Sequence, residues 1–253
     1  MMQVLRKLFG AILVTVLVVS ATSTEVLAKD RVIVLAGQSN MMGKGKTQEL
    51  PADYRNMPTN VRYFYQGREH KLAQFALFGP EVSLAHSLAR QYPNDRIILV
   101  KQAASGSLIQ QWQPGEPLYK GLLRQIGFAA DDYPFNQVDA IVWMQGESDA
   151  QSDMQVATQY AGRLMQLVSH LRKDLRSPDS LFVFGEVGVQ HPLFKDSIAA
   201  VRKQQQLAQE RLTNALMVST DGLDNIGDGI HYNAQGQLEL GKRFAQALIQ
   251  RLR

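Results

Sequence analysis

The sequence predicts a three-layer α/β/α sandwich around a mainly parallel central sheet. Short apolar runs alternate with longer amphipathic ones along the chain, the pattern of strands joined by crossover helices. Several of the short runs are apolar on both faces, as strands covered on both sides are. The residues with chemical potential fall directly after these runs, where an open parallel sheet keeps its ligand crevice.

The first 28 of the 253 residues are set aside before the elements are read. Arg6 and Lys7 form a basic start, Leu8 to Ala21 is almost wholly apolar, and Val26-Leu27-Ala28 offers small residues at a cleavage site. That is the pattern of a signal peptide, and the apolar stretch is shorter than the roughly 20 residues a membrane span needs. The reading is therefore export to the periplasm or the extracellular space, with no stable membrane insertion after cleavage. An uncleaved anchor is the alternative. Residues 29–253 then form one domain, long enough to bury a self-sufficient core.

Within that domain the predicted strands are Val32 to Ala36, Val61 to Tyr65, Ile97 to Lys101, Ala140 to Met144, Leu181 to Phe184 and Ala215 to Ser219. Each is a run of four or five mostly β-branched, aliphatic or aromatic residues, too short for a helix. Apolar positions at helical spacing predict helices over Val82 to Gln91, Leu118 to Ala129, Met154 to Leu175, Ser197 to Leu212 and Ala234 to Arg251. No repeat or Pro/Gly/Ser linker divides the chain.

Composition narrows the function classes. The formal charge is +4, and the first 28 residues carry +1 of it, too little and too scattered to imply a nucleic-acid partner. The five histidines give no zinc-ligand spacing, and the absence of cysteine removes disulfides and lipid attachment. No metal or organic cofactor is expected.

Four loops carry the chemistry. Gln38-Ser39-Asn40 follows the first strand, Ala103 to Ser107 the third, Gln145 to Asp149 the fourth, and Asp228-Gly-Ile-His231 the sixth. A serine hydroxyl becomes a nucleophile at neutral pH when an imidazole takes its proton and a carboxylate fixes that imidazole's tautomer. Ser39, His231 and Asp228 supply the three groups. Their plainer readings are a helix N-cap for Ser39, a surface imidazole for His231 and a turn aspartate for Asp228, with Asp221 and Asp224 as rival acids. Met41 stands where a Gly-x-Ser-x-Gly elbow would place its last glycine, which disfavours the larger α/β-hydrolase scaffold. His70, His86, His170 and His191 read as surface or helix residues. Trp112 is a candidate to stack on a sugar ring, and Trp143, inside a strand, reads as core.

The segments GQSNMMG at 37–43, FGPE at 78–81, SGSLIQQW at 105–112, WMQGESD at 143–149 and DGIHYNAQGQ at 228–237 together resemble the sialate O-acetylesterase domain, carbohydrate esterase family six, of the SGNH hydrolase superfamily. Five segments in the right order cover essentially the whole chain after residue 28. The resemblance implies a flavodoxin-like SGNH fold and a serine esterase acting on an acetylated carbohydrate. It implies Ser39 as nucleophile, His231 as general base and Asp228 as its acid. The oxyanion donors it implies are the amides of Ser39 and Gly106 and the side chain of Gln145, which replaces the asparagine of many relatives. Gln38, Asn40 and Glu147 are implied as site support; Glu147 and Asp149 match the family pattern and read as loop braces rather than as chemical groups. The chain departs from the family in having Ser105 where a glycine usually precedes Gly106.

Acetylated sialic acid, xylan or another glycan all fit these loops. A lipase or thioesterase on the same scaffold, a peptidoglycan O-acetylesterase and an inactive glycan-binding module are the alternatives.

Overall fold

The structure, a computed structural model, describes residues 28–252. The expected signal segment lies, apart from Ala28, outside the described residues.

Strand β1 (Asp30–Gly37) opens the fold and runs straight into the four-residue helix α1 (Ser39–Met42). A short β2 (Gly45–Lys46) follows, then β3 (Val61–Tyr65), β4 (Arg68–His70), β5 (Leu77–Phe78), α2 (Glu81–Gln91) and β6 (Arg96–Ala103). Next come α3 (Pro117–Asp132), β7 (Ala140–Met144), α4 (Glu147–Ala150), α5 (Met154–Thr158), α6 (Tyr160–Asp174) and β8 (Leu181–Gly185). The chain closes with α7 (Lys195–Arg211), β9 (Ala215–Val218) and α8 (Ala234–Arg251).

Seven strands form one sheet in the order β4-β3-β6-β1-β7-β8-β9, and every neighbouring pair is parallel except β3 with β4. The alternation in β1 shows why three layers form. Val32, Val34 and Ala36 point to one face, where Leu122, Leu164 and Val201 of α3, α6 and α7 cover them. Ile33 and Leu35 point to the other, under Leu84 and Leu88 of α2 and Phe244 and Leu248 of α8. All five β1 side chains are at most 1% exposed, so the run is apolar throughout because both faces are buried.

Besides the short elements α1, β2, β5 and α4, two local features differ from the sequence expectation. The single helix expected over Met154 to Leu175 is divided at Gln159, whose amide bonds back three residues to Val156. The break sets Tyr160 inward, fully buried, with its hydroxyl donating to the Gln145 carbonyl at 2.8 Å. The antiparallel edge strand β4 was not anticipated. It follows a two-residue turn at Gln66 and Gly67, both at positive φ, the hairpin geometry usually signalled by Asn-Gly.

The topology positions the site. From β1 the chain goes out to β3, returns to β6 beside β1, then crosses to β7 on the other side of β1. The order therefore reverses around β1, and the carboxyl ends of β6, β1 and β7 meet at one rim.

Candidate active site

Ser39 is held by backbone on one side and a buried ion pair on the other. Gly37 sits at φ +150° with its amide plane against β7, and a Cβ there would run into the Met144 carbonyl. Only glycine permits that approach, after which Gln38 donates its amide to Met144 O at 2.9 Å and the chain turns into α1. The far end of α1 is fixed by Lys101, whose Nζ donates to Met42 O at 2.9 Å and to Glu81 Oε2 at 2.7 Å. Glu81 Oε1 in turn accepts from the Gly79 amide. Burial pushes the Lys101 ammonium down, and the Glu81 carboxylate opposes that shift.

His231 and Asp228 arrive from the segment between β9 and α8. The Ser39 Oγ lies 2.9 Å from His231 Nε2, and His231 Nδ1 lies 2.6 Å from Asp228 Oδ2. With Nδ1 protonated toward the carboxylate, Nε2 is left to accept from the serine hydroxyl. Asp228 Oδ1 accepts from the amides of Ile230 at 2.9 Å and His231 at 2.8 Å, closing the loop on itself. Partial burial pushes the Asp228 carboxyl up, but these bonds and the imidazole together hold it below the usual carboxylate range. Asp221 and Asp224 are exposed, and the carboxylate on His231 is that of Asp228.

The amides of Ser39 and Gly106 make no hydrogen bond among the described residues. Gly106 is exposed at φ +72° in the turn after β6. Ser105 beside it is also exposed. Beside them lies a buried polar layer, in which Gln145 Oε1 has no hydrogen-bond partner among the described residues. Gln145, fully buried, donates from Nε2 toward Asp149 Oδ2 at 2.6 Å, Ser107 O at 2.8 Å and Gln38 Oε1 at 3.1 Å. Asp149 also accepts from the Ile109 amide, and burial pushes its carboxyl up to about 6 against the lowering effect of those bonds. Gln38 Oε1 further accepts from the Gly146 amide at 3.2 Å.

A second polar cluster joins three of the loops. Asn40 Nδ2 donates to Glu147 Oε1 at 2.6 Å and to Ile230 O at 2.9 Å, and its Oδ1 accepts from the Tyr232 amide at 3.1 Å. Asn40 and Glu147 are both 0% exposed, and burial pushes the Glu147 carboxyl up.

The contact from serine through imidazole to carboxylate can activate a hydroxyl, a requirement of acyl transfer. The family model described as carbohydrate esterase, sialic acid-specific acetylesterase, matches residues 29–250. The chain belongs to this carbohydrate esterase family. It is a carboxylic ester hydrolase, a carbohydrate O-acetylesterase by that membership. A probable carbohydrate esterase of Arabidopsis thaliana is 27% identical over 244 residues, covering 87% of this chain and 90% of that protein. The crystal structure of that Arabidopsis protein superposes with a TM-score of 0.77 at 22% identity, over 89% of this chain and 99% of the other. NanS superposes at 0.73 with 17% identity, over 88% and 97% of the two chains. These likenesses show the shared α/β fold with a mainly parallel sheet.

Two sequence expectations need correction in this esterase, those for Trp112 and His70. Trp112 is not available to a sugar: it is 0% exposed, packs edge-to-face on Trp143 at 5.2 Å, and donates Nε1 to Ser107 Oγ. Its role is to support the Gly106 turn from below. His70 is not a surface residue but 5% exposed, ending β4. Gln145, expected to donate to an oxyanion, faces three acceptors of the protein with only two hydrogens, so that role requires exchange of one of these bonds. Sequence reasoning missed the Lys101–Glu81 pair, although a lone lysine ending an apolar strand was a signal for it. It also missed the Asn40 bonds to Ile230 and Tyr232, for which no local signal exists.

Proposed function

We propose that this esterase removes O-acetyl groups from a glycan through Ser39, His231 and Asp228, after export directed by residues 1–28. The observation that carries the reading is the continuous contact from Ser39 Oγ to His231 Nε2 at 2.9 Å and from His231 Nδ1 to Asp228 Oδ2 at 2.6 Å, between residues 192 apart in sequence.

Ser39 Oγ attacks the acetyl carbonyl as its proton passes to His231 Nε2, and the imidazolium formed is stabilised by Asp228. The amides of Ser39 and Gly106 receive the oxyanion, and Gln145 adds a third donor by exchanging its bond to Ser107 O. Each such donor contributes about 2.7 to 4 kcal/mol to lowering the barrier. The carbonyl re-forms, the bond to the sugar oxygen breaks, and His231 returns the proton to that oxygen. Water, deprotonated by His231, then attacks the acetyl-serine and releases acetate and the free Ser39 hydroxyl. The family's description makes O-acetylated sialic acid the first substrate to test.

The test is acetate release by residues 29–253 and by Ser39→Ala from O-acetylated sialic acid, acetylated xylan, acetylated peptidoglycan, and short- and long-chain nitrophenyl esters. Turnover confined to acetyl esters and lost in Ser39→Ala supports the reading and identifies the glycan. Turnover that survives Ser39→Ala overturns the nucleophile, and preference for long acyl chains moves the enzyme to the lipase or thioesterase class.

A further inference from the structure

The loop that carries His231 starts far from the serine it serves. It leaves β9, three strands from β1 in the sheet order, about 14 Å away at the usual strand spacing. The internal bonds of Asp228 to Ile230, His231 and the imidazole fix the shape of this loop, not its place over β1. The Gln190 amide ties Gly229 O to the segment after β8, which is still two strands short of β1.

Tyr232 packs in the same core cluster as Ile33, Leu35 and Met41, and apart from the Ser39–His231 contact itself the hydrogen bonds that tie this loop to the end of β1, among the described residues, are those of Asn40, the residue after Ser39. Its amide accepts from Tyr232 N and donates to Ile230 O, gripping the backbone immediately before and after His231. Its remaining hydrogen goes to Glu147 Oε1, which orients the amide from the loop after β7. A primary amide supplies two donors and an acceptor in one plane without charge, and here all three functions are used. Among the described residues Glu147 Oε2 has no hydrogen-bond partner, so Glu147 acts in this cluster through Oε1.

We infer that Asn40 is a positioning residue that latches the His231 loop onto the turn of the nucleophile, with Glu147 holding its amide in register. The inference rests on the Ser39–His231–Asp228 reading above. The spacing between serine and imidazole is thereby set by the serine's own neighbour, so the two move together.

The test uses residues 29–253 carrying Asn40→Ala, Asn40→Asp, Glu147→Ala or Glu147→Gln, with nitrophenyl acetate as substrate. A fluorophosphonate that labels an activated serine is followed by mass spectrometry at Ser39, and circular dichroism and thermal unfolding report folding. In Asn40→Ala the latch is lost: kcat falls by about a hundredfold, the loss typical of an ångström-scale misplacement, with KM unchanged and labelling slowed in proportion. Asn40→Asp falls at least as far, because a carboxylate would face Glu147 Oε1 and Ile230 O. Glu147→Gln, which keeps an Oε1 acceptor, retains most of the kcat that Glu147→Ala loses, a rescue that a purely structural role in stability does not predict. Parent-like kcat and labelling in folded Asn40→Ala overturn the latch. Should that variant not fold, Asn40→Ser, whose hydroxyl cannot reach both Ile230 O and Tyr232 N, carries the same criterion. Failure of the parent itself to be labelled at Ser39 overturns the nucleophile assignment instead, so the two failures are distinguishable.

Discussion

Replacing Lys101 with Met should destabilise the protein far more than replacing Lys101 and Glu81 together with apolar residues. The two side chains are 1% and 5% exposed and meet at 2.7 Å, so neither charge has water to fall back on. In Lys101→Met the Glu81 carboxylate keeps only the Gly79 amide, and the Met42 carbonyl loses its donor. Breaking a buried pair from one side costs about 3–5 kcal/mol, whereas exchanging the whole pair for well-packed apolar groups is often neutral or stabilising. For a domain of this size that is a fall in Tm of about 6–20 °C for the single variant. The assay is urea unfolding of Lys101→Met, Glu81→Leu and the double variant, read as a double-mutant cycle. Because Lys101 also pins the last residue of α1, the double variant should recover stability yet lose part of its kcat, through looser placement of Ser39. Single and double variants of equal stability would refute the pair as described, and a double variant with full kcat would refute its link to α1.

Three further outcomes follow from the same geometry. Asp228→Asn should lower kcat by about 10⁴-fold with the fold intact, because an amide at Nδ1 favours the wrong imidazole tautomer; a loss below tenfold on nitrophenyl acetate would point to Asp221 or Asp224 instead. Trp112→Ala should cost about 3–5 kcal/mol of stability in urea by emptying a fully buried site, while parent-like stability with weakened glycan binding would restore a sugar-stacking role. Asp149, raised to about 6 by burial from an ordinary 3.8, binds a proton in the folded state that the unfolded chain has already lost. Its contribution to stability is therefore full below about pH 4 and lost as pH rises toward 6, roughly 3 kcal/mol in all. Asp149→Asn should flatten that part of the stability profile between pH 4 and 6, and parallel parent and variant profiles would refute it.

Periodicity in the sequence determined the six parallel strands and their helices, because burial on one or two faces imprints a local pattern of apolar residues. The placing of Ser39, Gly106, Gln145 and His231 after four of the six predicted strands was legible for a related reason: turn-forming residues must end each strand, and the crevice of a parallel sheet opens where they do. Tertiary structure alone decided what these side chains touch. Trp112 was exposed or buried only according to whether the turn after β6 folded over it, and no spacing in the sequence encodes that. The hydrogens of Gln145 were assigned by Asp149, Ser107 and Gln38, groups from three different loops. Asn40 reads as an ordinary turn residue until the strand order brings residues 230 and 232 across the sheet to its amide. A pattern along the chain reports the face a residue turns to the core, whereas hydrogen-bond partners are set by which loops the topology makes neighbours.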